Sequence, residues 1–270
     1  MGIGIREQFR ATKKQEIKDE NAGAKPLSSG DKAADKLQVQ TLATQIAEQQ
    51  AMLFAQHERK VLVVLQGMDT SGKDGTVAGV FGGVNPQGLR IVSYKAPSQL
   101  ELQHDYLWRI HQQVPAKGEL AIFNRSHYED VLITRVHDWI DAAECKRRYA
   151  QINDFERLLS ETGTVVLKFF LHISKDEQRA RLQERVDDPT KHWKFELQDL
   201  EERKSWDNYQ KVYSQAIQAT DAEHAPWYVI PSDSKTHRNL AIAGVVLETL
   251  QAMKLAFPPA KKELTGLKVK

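Results

Sequence analysis

The run Val61-Leu-Val-Val-Leu-Gln passes directly into Gly67-Met-Asp69-Thr70-Ser71-Gly72-Lys73-Asp74-Gly75-Thr76, and few folds accommodate that transition. A strand with no polar face must be covered on both sides. The turn behind it has the spacing G-x-x-x-x-G-K and opens a helix, an arrangement in which successive backbone N–H groups curl around phosphate oxygens. The helix N-terminus adds partial positive charge and the lysine reaches the transferring phosphoryl group. Gly67, Thr70, Ser71, Gly72, Lys73, Asp74, Gly75 and Thr76 are therefore the expected phosphate cradle. Four more short apolar runs follow, Arg90 to Ser93, Leu120 to Phe123, Val165 to Ile173 and Trp227 to Ile230, with helical stretches between them. Capping-box sequences, Ser98-Gln-Leu-Glu101 and Ser174-Lys-Asp-Glu177, follow two of these runs. Strands that alternate with helices and are apolar on both faces describe a doubly wound, parallel α/β domain.

Two positions depart from the usual loop. Ser or Thr ordinarily follows the lysine and holds Mg²⁺, but Asp74 stands there, and Asp69 lies inside the loop. A carboxylate so near phosphates repels them unless a divalent cation lies between, which makes Asp69 a metal-ligand candidate. Asp74 is read alternatively as a cap of the helix. The third strand ends in Asn124-Arg125-Ser-His127-Tyr128-Glu129-Asp130, with Asn124 where nucleotide hydrolases of this type carry an aspartate. Carboxyl ends of neighbouring parallel strands face one crevice. Arg125, Glu129 and Asp130 can thus oppose the loop, Arg125 clamping phosphate oxygens and Glu129 sharing the metal. A helix start with favourable acids and a structural ion pair is the competing reading of the same residues. His127 reads as a packed histidine.

Arg179, Arg181 and Arg185 fall on the helix begun by Ser174, and the irregular stretch from about 185 to 205 adds Lys191 and Lys194. That stretch reads either as a lid or as a surface loop with solvated charge. A row of cations facing a phosphate loop suits a polyanion longer than one nucleotide tail; pairing with Glu177 and Glu184 is the alternative.

Over the whole chain, 38 basic and 36 acidic side chains leave a net charge of +2, unlike a general nucleic-acid binder. The single cysteine, Cys145, rules out an intramolecular disulfide and a cysteine-based zinc site. Neither a membrane span nor a signal-peptide core is apparent, so a cytoplasmic protein is expected. Residues 1–30 are polar and read as an arm, mobile or laid on a neighbouring subunit. Residues 31–270 read as one domain, beginning with an amphipathic helix over Asp31 to His57.

Through Gly67 to Gly75, Asn124 to Asp130 and Asp188-Pro-Thr-Lys-His-Trp-Lys-Phe195, the chain closely resembles the polyphosphate kinase 2 family, over about Lys36 to Leu250. Tyr106 to His111, Leu171 to Gln178 and Ala225 to Pro231 are similar to it as well. The resemblance implies a P-loop kinase-like three-layer α/β/α sandwich with a five-stranded parallel sheet and a helical lid. It also implies reversible phosphoryl transfer from inorganic polyphosphate to nucleotides, with Mg²⁺, or Mn²⁺ in its place, and a homodimer or homotetramer. Glu129, where class I members carry Asn, resembles class III, whose members phosphorylate nucleoside mono- and diphosphates. By position, the family's loop aspartate and lysine fall on Asp69 and Lys73, its second-wall arginine on Arg125 and its class III glutamate on Glu129. Beside the resemblance, the residues themselves read as Asp69 and Glu129 toward the metal and Arg125 and Asp130 toward the nucleotide. His192 departs from an arginine frequent in the lid. An ATP-dependent kinase of the same fold is the main alternative, although Asp74 and Asn124 both depart from it; a non-catalytic phosphate sensor is the other.

Overall fold

Each of the five apolar runs forms a strand, and all pair in parallel in the order β2-β3-β1-β4-β5. The computed structural model describes residues 4–264 and 267–269. Its elements are α1 (Ile5–Phe9), α2 (Lys32–Gln56), β1 (Lys60–Gln66), α3 (Lys73–Phe81), β2 (Leu89–Ser93), α4 (Trp108–His111), β3 (Leu120–Asn124), α5 (Ile133–Val136) and α6 (Ala142–Glu161). They continue with β4 (Thr164–His172), α7 (Lys175–Asp187), α8 (Leu197–Lys204), α9 (Trp206–Thr220), β5 (Trp227–Pro231) and α10 (Lys235–Ala252).

Alternation along β1 divides the core into two layers. Val61, Val63 and Leu65 face one cluster with Ile46 and Leu53 of α2, Val80 and Phe81 of α3, and Ile242 and Val246 of α10. Leu62 and Val64 face the other, with Ile152 and Phe155 of α6 and Val212, Tyr213 and Ile217 of α9. Every one of these β1 side chains is fully buried, each contributing roughly 1.5–3 kcal/mol of transfer free energy. The result is the expected three-layer α/β/α sandwich, with β1 central and its carboxyl end opening beside that of β3.

Three local features differ from the sequence reading. The box at Ser98 closes in both directions, Ser98 N donating to Glu101 Oε2 (2.6 Å) and Glu101 N to Ser98 Oγ (3.3 Å). It nevertheless starts only the 3₁₀ turn Glu101–Gln103, because no apolar stripe follows to hold a longer helix against the sheet. At Ser174 the cap forms, Glu177 N donating to its Oγ (3.2 Å). The return bond is replaced, since Glu177 pairs with Arg181. The N-terminal segment lies on its own domain, in place of a mobile or partner-borne arm. Ala11 N donates to Trp227 O (2.9 Å), Arg10 bridges Tyr228 in antiparallel fashion, and Phe9, Ala11, Ile17 and Ala22 are buried. Its few apolar residues suffice to cover the open edge at β5.

Residues 188–204 form an excursion between α7 and the sheet-covering helix α9, as the 3₁₀ turn Pro189–Lys194 followed by α8. No helix among the described residues is long and apolar enough to cross a membrane.

Candidate active site

The turn after β1 is held from many directions. Gly67 has φ +154°, and a Cβ there would sit 2.7 Å from Leu171 O; Gly72 has φ +101°, and its Cβ would strike the Arg238 guanidinium. Both positions require glycine. Thr70 takes φ +64° without that freedom, a strain that persists only where the surroundings enforce it. The enforcement comes from Arg181, whose NH1 donates to Thr70 O (2.9 Å) and Ser71 O (3.2 Å) and whose NH2 donates to Ser232 O (2.7 Å) and Asp233 O (2.9 Å). Arg238 NH1 adds a bond to Ser71 O (3.3 Å).

Helix α3 begins at Lys73 behind Gly72, with no side chain capping it, so its first-turn donors are left for a ligand. The Thr70, Ser71 and Thr76 hydroxyls are buried and have no hydrogen-bond partner. Buried polar groups are rarely left so, and three across the loop and the first turn of α3 fit a cradle for oxygen-rich ligands. Lys73 is only 9% exposed and donates to Gly67 O (2.7 Å) and Met68 O (3.3 Å). Burial, reinforced by the charge of Arg125, lowers its pKa to about 8.

The facing wall comes from the end of β3. Arg125 adopts φ +62° and its NH2 donates to Asp69 Oδ1 at 2.7 Å, joining the two walls. Asn124 Nδ2 donates to Asp74 Oδ1 (2.6 Å), so Asp74 ties loop to strand and does not cap the helix. Glu129 lies behind Arg125. With its amide nitrogen turned to the carboxylate, Gln66 donates to Glu129 Oε1 (2.9 Å). Burial raises the Glu129 pKa against the pull of Arg125 and Lys73. Asp130 is pushed up to about 6 by burial, opposed by Arg109 and Arg148. His127 is fully buried, its Nε2 3.2 Å from Glu156 Oε1, in keeping with a packed histidine.

Between the walls lies a crevice of about 720 Å³, lined by the loop, Arg125, the lid and the start of α10. Basic side chains predominate in it. Among the expected lid cations, Arg185, Lys191 and Lys194 line it. Arg185 is tethered to Lys194 O (2.7 Å) and Asp199 Oδ2 (3.3 Å), and Lys194 lies over the exposed Trp193 ring. Arg181 also borders the crevice, but backbone carbonyls and Glu177 occupy its guanidinium, which makes it a scaffold of the loop. Arg179 is exposed, 3.9 Å from Asp176, and does not line the crevice. Sequence reasoning missed Lys95, Lys235 and Arg238, which do. Lys95 and Lys235 follow closely on the carboxyl ends of β2 and β5, and the strand-end rule that located Arg125 applies to them equally.

No cluster of three or more His, Cys, Asp or Glu among the described residues forms a metal site. A preformed cage is not what Mg²⁺ requires, since it keeps several waters and takes one or two carboxylates together with substrate phosphates. Asp69, in the crevice wall, fits that mode, whereas Glu129 does not line the crevice.

A parallel sheet with a glycine-rich loop at its switch point, a buried loop lysine and a cationic lid is the framework of a P-loop phosphotransferase. Residues 29–258 match polyphosphate kinase 2, and the chain belongs to that family. It is 52% identical over 229 residues to the AMP/ADP-polyphosphate phosphotransferase of Meiothermus ruber, covering 85% of this chain and 86% of that one. To the ADP-polyphosphate phosphotransferase of Rhodopseudomonas palustris it is 41% identical over 240 residues, 83% of each chain. The crystal structure of polyphosphate kinase 2 from Arthrobacter aurescens TC1 superposes with a TM-score of 0.94 at 43% identity, covering 98% of this chain and 95% of that one. The family resemblance and the fold read from the sequence both agree with these comparisons.

Proposed function

We propose that this protein transfers phosphoryl groups from inorganic polyphosphate to nucleoside mono- and diphosphates, reversibly, in the class III manner. The observation that carries the reading is the crevice: Lys73, Arg185, Lys191, Lys194 and Lys235 all line it, more positive charge than one nucleotide tail requires. The 52% identity to a relative named for both AMP and ADP supports it.

Terminal phosphates of the donor lie over the loop from Gly67 to Gly75, where Lys73, the α3 amides and the unpartnered hydroxyls receive their oxygens. Arg125 clamps the phosphates from the opposite wall, releasing Asp69 as it does so, and Asp130 helps to orient the acceptor. Asp69 and Glu129 would hold Mg²⁺, and the ion would supply neutralisation of phosphate charge. The acceptor phosphate oxygen is already an anionic nucleophile, so the chain need not supply a strong base. Alignment, charge neutralisation and exclusion of water by the lid supply the acceleration.

The test mixes the protein with Mg²⁺ and long-chain polyphosphate, offers AMP or ADP separately without ATP, and follows products by chromatography beside an adenylate kinase control. ADP and then ATP should form from AMP only when polyphosphate is present. Transfer from ATP to a small acceptor, with none from polyphosphate, would overturn the reading.

A further inference from the structure

Helix α7 grips three successive carbonyls of the phosphate loop through two side chains that differ in what else they touch. Arg181 takes Thr70 O and Ser71 O, and its other bonds go to Ser232, Asp233 and Glu177, all outside the lid excursion. Gln178 takes the third, its Nε2 donating to Asp69 O at 3.3 Å. Its Oε1 accepts from Arg203 NH1 at 2.9 Å, and Arg203 is the penultimate residue of α8 in the lid. Gln178 is 1% exposed, so water does not readily replace either partner.

The stems of the excursion are fixed. Asp19 accepts from Lys175 N (3.0 Å) at the start of α7 and from Trp206 Nε1 (3.1 Å) at the start of α9. Arg203 NH1 also donates to Lys175 O (2.6 Å). Beside Arg203, Glu202 accepts from Tyr209 OH (2.6 Å) and lies 2.9 Å from His137 Nε2, so Arg203 sits where the end of α8 is seated on the body. When Arg203 departs, the buried Oε1 of Gln178 loses its charged donor, a loss typically costing about 1–3 kcal/mol for a buried group. The amide is then free to turn from Asp69.

We infer that Gln178 is a positioning residue that transmits the seating of the lid, sensed through Arg203, to the backbone of Asp69. A primary amide suits this task because it accepts at one end and donates at the other. Phosphate binding under the closed lid and alignment of the Asp69 carboxylate are thus linked through one side chain. The inference rests on the phosphotransferase reading only for its kinetic consequence; the mechanical link stands independently.

Hydrogen exchange of the loop amides 68–73 in the ligand-free protein tests the link without any turnover. Gln178→Met, close in volume, and Arg203→Met, which touches no loop atom, should each speed loop exchange about tenfold. Lys204→Met, on the same helix but paired only with Glu201, should leave it unchanged. The double variant should exchange no faster than either single one, because both break one chain of contacts. Polyphosphate-dependent turnover then reads the consequence. In each of the two relay variants kcat should fall about tenfold with KM for polyphosphate within about twofold, since alignment is lost while the cations remain. Loop exchange at the wild-type rate in Arg203→Met, or independent multiplying effects in the double variant, would overturn the inference. Should Gln178→Met fail to fold, Arg203→Met alone decides it. Failure of the wild-type protein to use polyphosphate would count against the proposed function and leave the exchange result to judge the relay.

Discussion

The phosphate loop and the lid both present cations to one crevice, yet they are built in opposite ways. Lys73 is buried and held by carbonyls within its own loop, and the loop is gripped from α7 and α10 by Gln178, Arg181 and Arg238. Lid charges instead answer to carboxylates: Arg185 to Asp199, and Lys191 to Glu184 and Asp188. Trp193 stands 76% exposed. Preorganisation in the loop keeps donors aimed where transition-state charge develops. On the proposed function, phosphate would take the place of these carboxylates. Loop changes should therefore alter kcat and folding, lid changes affinity and salt dependence.

Lys73→Met gives the largest expected effect, a fall in kcat of roughly 10³-fold or more, with the far-UV spectrum retained. Comparable residual turnover would dissolve the distinction between the regions. The same lysine sets a pH signature. Its pKa is lowered to about 8 by burial and Arg125, so the cation is lost as pH rises through 8. The free-enzyme profile, kcat/KM, should fall above about pH 8, whereas kcat should hold to higher pH because bound phosphate favours the charged amine. For stability the sign is opposite. The unfolded chain binds this proton up to the ordinary lysine range near 10.5, so this group's contribution to stability rises between about 8 and 10.5.

Arg181 and Arg185, one turn apart on α7, sharpen the contrast further. Arg181→Ala strands the Thr70, Ser232 and Asp233 carbonyls, leaves Ser71 O to Arg238 alone, and should lower stability by about 3 kcal/mol or more, read as a drop in thermal midpoint together with lost turnover. Arg185→Ala should leave the midpoint nearly unchanged, raise KM for polyphosphate about three- to tenfold, and flatten its salt dependence by about one counter-ion. Equal behaviour of the pair would break the division between scaffold and ligand contact.

That pair also marks where sequence reading stops. Strand runs, the loop spacing and the strand-end position of Arg125 were legible because burial and backbone geometry impose patterns a few residues long. Arg181 and Arg185 look alike in sequence; their roles separate only when Thr70, Ser71, Ser232 and Asp233 converge on one guanidinium from distant segments. The segment from Ile5 to Leu27 misled through its polar composition, since a handful of apolar residues and one bridge at Tyr228 are enough to seat it. Asp74 gave no sign of its true partner, as Asn124 is fifty residues away. The relay at Gln178 is invisible for the same reason.

The smallest effect tests the idea that lid acids occupy places meant for phosphate. Glu184 accepts from Lys191 Nζ (2.8 Å) and from Lys235 Nζ (3.3 Å), joining the lid side of the crevice to α10, and these two lysines hold its pKa below the ordinary carboxylate value. A polyanion entering the crevice must displace that carboxylate to reach both cations. Glu184→Gln keeps the shape and removes the competing charge, so two cations are left for the ligand. KM for polyphosphate should fall about two- to threefold at low salt, with a steeper salt dependence than the wild type, and the difference should fade above physiological ionic strength because the pairs are solvent-exposed. A weaker KM would instead mean that Glu184 serves to latch the closed lid, and the lid would then share the loop's preorganised construction.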